Sequence, residues 1–227
     1  MAHPLALRTG YDRTRSSSFA YGCGKCSRCC TGKRIPLNPY EVARLAQKLG
    51  TSTTATLTRF TTNGGSLLAV RDDTSCVFSE LGGCTVHSAR PLACRLYPLG
   101  RRVGPDEEEY FAEVVPEPSC TGRHGGPGTI EDYLREQGAD VYIAMADRYR
   151  SVLEKLVRTL LSRPDASECC ISANDLLDRA PLPEDESLLD VDAVVARRCE
   201  VLGVAVPSEL ERRVTLHIAA LEEIAET

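Results

Sequence analysis

Four cysteines lie within eight residues, Cys23-Gly-Lys-Cys26-Ser-Arg-Cys29-Cys30, and the series continues as Cys76, Cys84, Cys94 and Cys120. Two-residue spacers let a chain turn so that successive thiolates face one centre, which is why tetrahedral zinc sites and iron–sulfur clusters both use them. The repeated spacing of Cys23, Cys26 and Cys29 suits three corners of a cluster, with the fourth ligand coming from Cys30 or from further along the chain. The competing readings are the disulfides of a secreted protein and buried unreactive thiols. With 11 cysteines, complete intramolecular pairing is impossible. The first residues lack the sustained apolar core of a signal peptide and Tyr11-Asp-Arg-Thr-Arg15 is charged, so the expected location is a reducing cytoplasm. There, thiols persist as metal ligands or reactive groups.

Lys25, Arg28, Lys33 and Arg34 interleave with the first cysteines. Positive charge beside several thiolates lowers their pKa and balances the charge of a centre. The chain as a whole is acidic, with net charge -5 and pI near 5.5, which gives no electrostatic case for nucleic acid. No stretch approaches the ~20 apolar residues of a membrane span, so no membrane is expected. At 227 residues and 42% hydrophobic content a core can be buried, and with no Trp and four Phe it must be largely aliphatic.

The elements that would position the thiols read as short pieces. Asn38 caps a helix with Pro39 at its first position and Glu41 at its third; Val42, Leu45, Ala46 and Leu49 form its apolar face, and Gly50 ends it. A shorter helix is expected from Ser52 to Phe60. Strands are expected at 67–70 and 76–78, with a turn at Gly82-Gly83 bringing Cys84 back towards Cys76. Ser88 is a cap for a short helix through Cys94, and Tyr110 to Val115 alternates as a strand. The run Gly122-Arg-His-Gly-Gly-Pro-Gly128 signals a loop and a soft boundary. Beyond it Thr129-Ile-Glu-Asp132 resembles a capping box, Gly138 interrupts, and Asp140 to Ser162 carries Val141, Ala144, Met145, Tyr149, Val152, Leu153, Leu156 and Leu160 at helical spacing. Helices are also expected over 190–202 and 208–225, joined to the preceding helix through the acidic run Leu182 to Ser187. The expected architecture is α+β: an N-terminal segment (1–19), a small cysteine-rich metal-binding domain with short strands (20–128), and an α-helical region (129–227) packed on it.

Taken together, Cys23-x-x-Cys26-x-x-Cys29-Cys30, Cys76-Val-Phe, Gly83-Cys84-Thr-Val-His87-Ser-Ala-Arg90-Pro91-Leu-Ala-Cys94-Arg95-Leu-Tyr97-Pro98 and Cys120-Thr-Gly resemble the YkgJ-type cysteine-cluster family, the zinc- or iron-chelating CxxCxxCC domain. The likeness spans roughly residues 20 to 130 and is specific because several ordered motifs coincide. It implies a cysteine-ligated metal centre. The FliB-type flagellin lysine N-methylases resemble the same family, and their cysteines are taken to hold a [4Fe–4S] cluster. His87 stands here where the family has an aromatic residue before Arg-Pro, which opens a choice between an imidazole ligand and a surface histidine.

Adjacent thiolates such as Cys29 and Cys30 diverge unless the backbone is strained, which makes both awkward on one zinc ion. One [4Fe–4S] cluster is therefore favoured, with zinc as the alternative occupant. Cys23, Cys26 and Cys29 are the leading ligands; Cys30, Cys76, Cys84, Cys94 and Cys120 are candidates whose partition stays open. Arg90 and Arg95 have two readings: hydrogen bonding to the sulfurs of the centre, which would tune it, or pairing with an acidic helix end. Tyr97-Pro98 is expected to pack and turn the chain. Cys169 and Cys170 suggest a redox pair or incidental packing, Cys199 a buried thiol, His124 a ligand, a base or a surface residue, and His217 a satisfied helix-face histidine.

Nucleotide, phosphate, zincin and serine-hydrolase motifs are absent. Two functions follow. The first is a metal-binding protein whose centre serves structure, redox chemistry or metal handling, its helical region engaging a protein or peptide partner. The second is an enzyme that modifies a peptide or protein, as the methylase likeness implies, with S-adenosylmethionine as a methyl donor to be tested. A zinc-binding structural or interaction protein is a further alternative.

Overall fold

The computed structural model describes residues 7–161 and 187–226, so the calls on Cys169, Cys170 and most of the acidic run after Leu182 lie outside the described residues. Seven α-helices and eight short strands in four antiparallel pairs make the fold α+β among these residues. The helices are α1 (Pro39–Leu49), α2 (Thr53–Phe60), α3 (Leu92–Leu96), α4 (Ile130–Glu136), α5 (Asp140–Leu161), α6 (Val191–Leu202) and α7 (Leu210–Glu226). The strands are β1 (Tyr21–Gly22), β2 (Thr61–Thr62), β3 (Leu67–Leu68), β4 (Ser79–Glu80), β5 (Gly83–Cys84), β6 (Leu99–Val103), β7 (Glu109–Glu113) and β8 (Arg123–His124). They gather into two compact units: one holds residues up to Pro36 together with Ala69–Ile143, the other Leu37–Leu68 with Ala144 onward.

The first unit contains all eight cysteines of the ordered motifs. Its core packs Phe19, Tyr21, Leu96, Leu99, Phe111, Ile130, Tyr133, Leu134 and Ile143, with Cys120 lying against it. The β6–β7 hairpin runs in register from Leu99↔Glu113 to Val103↔Glu109, and the N-terminal segment lies along β7 through Arg13↔Phe111. Strand β6 has no alternating pattern, so only β7 was legible. β1 pairs with β8, Tyr21 opposite His124 and Gly22 opposite Arg123. A paired strand therefore sits inside the glycine-rich stretch expected to be loop alone.

Two local expectations shift. The strand expected at 76–78 forms instead at Ser79–Glu80, which pairs with Gly83–Cys84; the Cys76 segment meets Val70 in a single bridge. The short helix does not start at Ser88. His87–Ala89 form a separate 3-10 turn, Arg90 is extended at φ -57 and ψ 144, and α3 starts after Pro91. The cause is steric, because the proline ring bars the preceding residue from the helical region.

The second unit is built from α1, α2, the β2–β3 pair, the later part of α5, α6 and α7. Asn38 and Glu41 form a reciprocal capping box, and Val42 and Leu45 of α1 are fully buried. Asp190 caps α6 and accepts the Thr53 hydroxyl at 2.5 Å, tying α6 to the start of α2. Buried on α7, His217 meets the Tyr149 hydroxyl at 3.0 Å through Nδ1. Cys199 is a buried thiol, 1% exposed.

Candidate metal centre

The cysteine run is shaped by two unusual backbone positions. Lys25 (φ 51) and Ser27 (φ 58) are both left-handed without being glycine, a conformation that costs on the order of 1–3 kcal/mol each and that concentrates at functional sites. The first turn points the Lys25 peptide N–H at the Cys23 sulfur, 3.4 Å away. The second leads into a 3-10 turn over Arg28–Cys30. The same local device, a peptide N–H donating to the sulfur two residues earlier, recurs from Arg28 to Cys26, from Phe78 to Cys76, from Val86 to Cys84, and from Gly122 to Cys120 at 3.4 Å. Donors aimed at sulfur stabilise thiolate over thiol.

β1 and β8 bring the ends of the motif together. Cys23 follows β1 directly and Cys120 precedes β8 by two residues, so pairing the strands sets Cys26 and Cys120 with their sulfurs 3.9 Å apart. The approach requires glycine at two places. A Cβ on Gly24 would sit 2.2 Å from Thr121 Oγ1 and 2.9 Å from the Thr121 carbonyl carbon, and one on Gly122 would sit 1.9 Å from the Tyr21 hydroxyl oxygen. The Tyr21 hydroxyl lies 3.1 Å from the Cys120 sulfur. Burial and that contact raise the Tyr21 pKa, so the phenol stays protonated and able to donate.

The other thiols continue from this pair. Donors from Thr121, first, and Arg28 bring the Cys26 thiol down to about 7. Cys29 is lowered because Cys30 donates its S–H to it, and Cys30 is raised by the same bond and by burial. The adjacent thiols thus act on each other within the turn. The Cys76 peptide N–H donates to the Cys30 carbonyl at 2.7 Å, carrying the second loop to the first, and the charges of Cys76 and Cys94 act on Cys30. Cys84 is coupled to Cys76 and Cys29, and burial raises both Cys76 and Cys84. Cys26, Cys29, Cys30, Cys76, Cys84, Cys94 and Cys120 therefore belong to one network, beside which Cys23 sits at the start of the run.

They do not form a ready-made cage: no group of three or more His, Cys, Asp or Glu among the described residues is arranged to hold a metal ion. The thiols meet in pairs. Even so, the chemistry of the donor set fits a thiophilic metal, since it is entirely sulfur, partly exposed and supplied with N–H donors. No disulfide is present among the described cysteines.

His87 and His124 sit differently from the cysteines. His87 Nδ1 lies 3.1 Å from Arg90 Nη1, and burial together with the Arg90 charge lowers its pKa. His124 packs on the Tyr21 ring, 4.9 Å between centroids, with Nδ1 3.4 Å from Glu113. Arg90 does not meet an acidic helix end; its partners are the His87 carbonyl and Gln137 Oε1. The Tyr97–Pro98 peptide is cis, and the Tyr97 hydroxyl accepts the Glu117 peptide N–H at 3.0 Å; burial pushes its pKa up to about 12.

Tyr21, Arg71 and Gln137 escaped sequence reasoning. Arg71 donates to the Cys76, Val77 and Ser79 carbonyls at 3.1, 2.7 and 2.6 Å, holding the loop whose N–H groups face Cys76. The left-handed turns of the run have a local origin, yet neither Lys25 nor Ser27 advertises it in residue type.

No curated protein and no solved structure matches the chain. A family model does match, that of CxxCxxCC, described as "Putative zinc- or iron-chelating domain", over residues 22–120. Those limits enclose Cys23 to Cys120, so this part of the chain is similar to a family named for chelating zinc or iron.

Proposed function

We propose that this chain is a metal-binding protein whose CxxCxxCC domain carries a cysteine-ligated iron–sulfur centre for redox chemistry or metal handling. The observation that carries the reading is the recurrence of peptide N–H donors at five sulfurs, Cys23, Cys26, Cys76, Cys84 and Cys120. Such hydrogen bonds stabilise anionic sulfur and set the potential of iron–sulfur centres. Eight thiols also exceed what one four-coordinate ion takes. Cys23, Cys26, Cys29, Cys30, Cys76, Cys84, Cys94 and Cys120 would hold the centre, and iron bound there supplies one-electron chemistry. The chain's own residues orient the sulfurs: β1–β8 pairing closes Cys26 on Cys120, Arg71 shapes the Cys76 loop, and Tyr21 donates towards Cys120.

Zinc is the second reading, favoured by one distance. Two thiolates on a tetrahedral ion with metal–sulfur bonds of about 2.3 Å stand about 3.8 Å apart, and Cys26 and Cys120 are 3.9 Å apart. Anaerobic purification with metal and acid-labile sulfide analysis separates the two. Brown protein containing iron and sulfide is expected; colourless protein with stoichiometric zinc alone would replace the iron–sulfur reading by the zinc one.

A further inference from the structure

Several arginines of the first unit differ in what balances their charge. Arg8, Arg13, Arg15 and Arg101 each reach a carboxylate, on Glu113 or Glu109. Arg90 and Arg95 do not. Arg95 is 6% exposed and donates to the carbonyls of Arg90, Ser88 and Gln137 at 3.0, 2.7 and 2.6 Å and to the Tyr142 hydroxyl at 2.9 Å, with its guanidinium 4.0 Å over the Tyr142 ring. Arg90 donates to the His87 carbonyl at 2.8 Å and to Gln137 Oε1 at 2.6 Å, and its remaining close contact is His87 Nδ1. Every acceptor is neutral, so the hydrogen-bonding capacity of these cations is used while their charge is not balanced.

Two cations in one half-buried place repel each other, and Arg95 does act unfavourably on Arg90. A buried charge without a counterion is costly. Arg90 lies between Cys84 and the α3 residue Cys94 in the chain; the groups whose field favours its charge are the Cys23 and Cys94 thiols, then the Tyr133 hydroxyl, and Arg90 in turn acts on Cys84. Three candidate ligands from two of the ordered motifs thus share one guanidinium. A divalent ion bound by four thiolates is a net dianion, and so is a four-iron cluster with a dicationic core and four thiolates.

We infer that Arg90, backed by Arg95 and aimed by Gln137 and His87, is the charge-compensating residue of the metal centre and sets how tightly the domain holds an anionic thiolate–metal complex. The inference rests on the metal-centre reading above. It makes Gln137 informative, because a carboxylate there would neutralise Arg90 without removing any packing.

The experiment is a zinc titration of the reduced full-length chain against a chromophoric chelator, comparing parent, Gln137→Glu and Arg90→Gln, with thermal melting of each metal-free protein. Gln137→Glu should keep or raise the metal-free melting temperature, because it gives Arg90 an ion pair, and yet weaken zinc binding by roughly 10- to 100-fold, the range typical of groups that support metal ligands. Arg90→Gln should weaken zinc to a similar degree. A purely structural Arg90 would give the two readouts the same sign, so Gln137→Glu binding zinc as tightly as the parent overturns the inference even if Arg90→Gln fails to fold. A parent chain that takes up neither zinc nor iron overturns the metal-centre reading itself, which is a distinct result.

Discussion

Gly24→Ala tests the closure on which the site depends. The new methyl would lie 2.2 Å from Thr121 Oγ1, 2.9 Å from the Thr121 carbonyl carbon and 3.0 Å from its oxygen. Ordinary contact for such atoms is about 3.5 Å, so the Cys23–Cys26 turn and the Cys120 segment must part by roughly 1 Å. Cys26 and Cys120, now 3.9 Å apart, would then stand near 5 Å, beyond the reach of a shared metal ion. Overpacking of this kind costs about 1–3 kcal/mol. The metal-free chain can relieve the clash by opening, whereas the metal-bound chain cannot, so the cost falls on affinity as roughly a 5- to 150-fold loss. Thr121→Ala in the same chain removes the Oγ1 contact but leaves both backbone contacts, so rescue should be partial. The assay is metal content after dialysis against a chelator of graded strength. Gly24→Ala with parental metal retention would refute the reasoning, as would complete rescue by Thr121→Ala.

Further outcomes can be checked independently. Cys26→Ser should strip most of the metal and destabilise the first unit, because binding energy at such sites is folding energy; metal analysis with circular dichroism reads both, and unchanged content would remove Cys26 from the ligand set. His217 is fully buried and its pKa is lowered by that burial to about 4. The unfolded ring, near 6.5, binds the proton that the native ring refuses, so stability falls as pH drops from about 7 to 4, by up to about 3 kcal/mol at 1.36 kcal/mol per unit. Urea midpoints at pH 7 and 4.5 for the parent and His217→Gln measure this, the variant being expected to lose the His217 part of the pH dependence; equal slopes in the two would contradict it. Asn38→Ala removes one half of the α1 capping box and should cost about 1 kcal/mol in denaturant unfolding. Tyr21→Phe removes the hydroxyl donor at Cys120 and should slow that thiol's alkylation in the metal-free protein; an unchanged rate would deny the contact its role.

Helix starts were legible where the cap is local. Asn38 with Glu41, Thr129 with Asp132 and Ser52 at α2 were read from residue type and spacing, since each cap bonds a peptide group three residues away. Two-residue strands such as β1, β4 and β8 were not, because nothing in Tyr21-Gly22 or Arg123-His124 marks a pairing that closes over about a hundred residues of chain.

The sequence by itself determined the chemistry: an all-thiol donor set of eight cysteines in ordered motifs, and a helical second half. Only the tertiary structure decided how those donors meet. β1 finding β8 places Cys26 against Cys120, and the Cys30–Cys76 hydrogen bond joins the two loops. Gln137, 47 residues from Arg90, is what aims the guanidinium. The physical reason is range: a thiolate's affinity for metal and a cap's hydrogen bonds are properties of residues and their near neighbours, whereas the distance between sulfurs and the counter-charge facing them are set by which distant segments pack together.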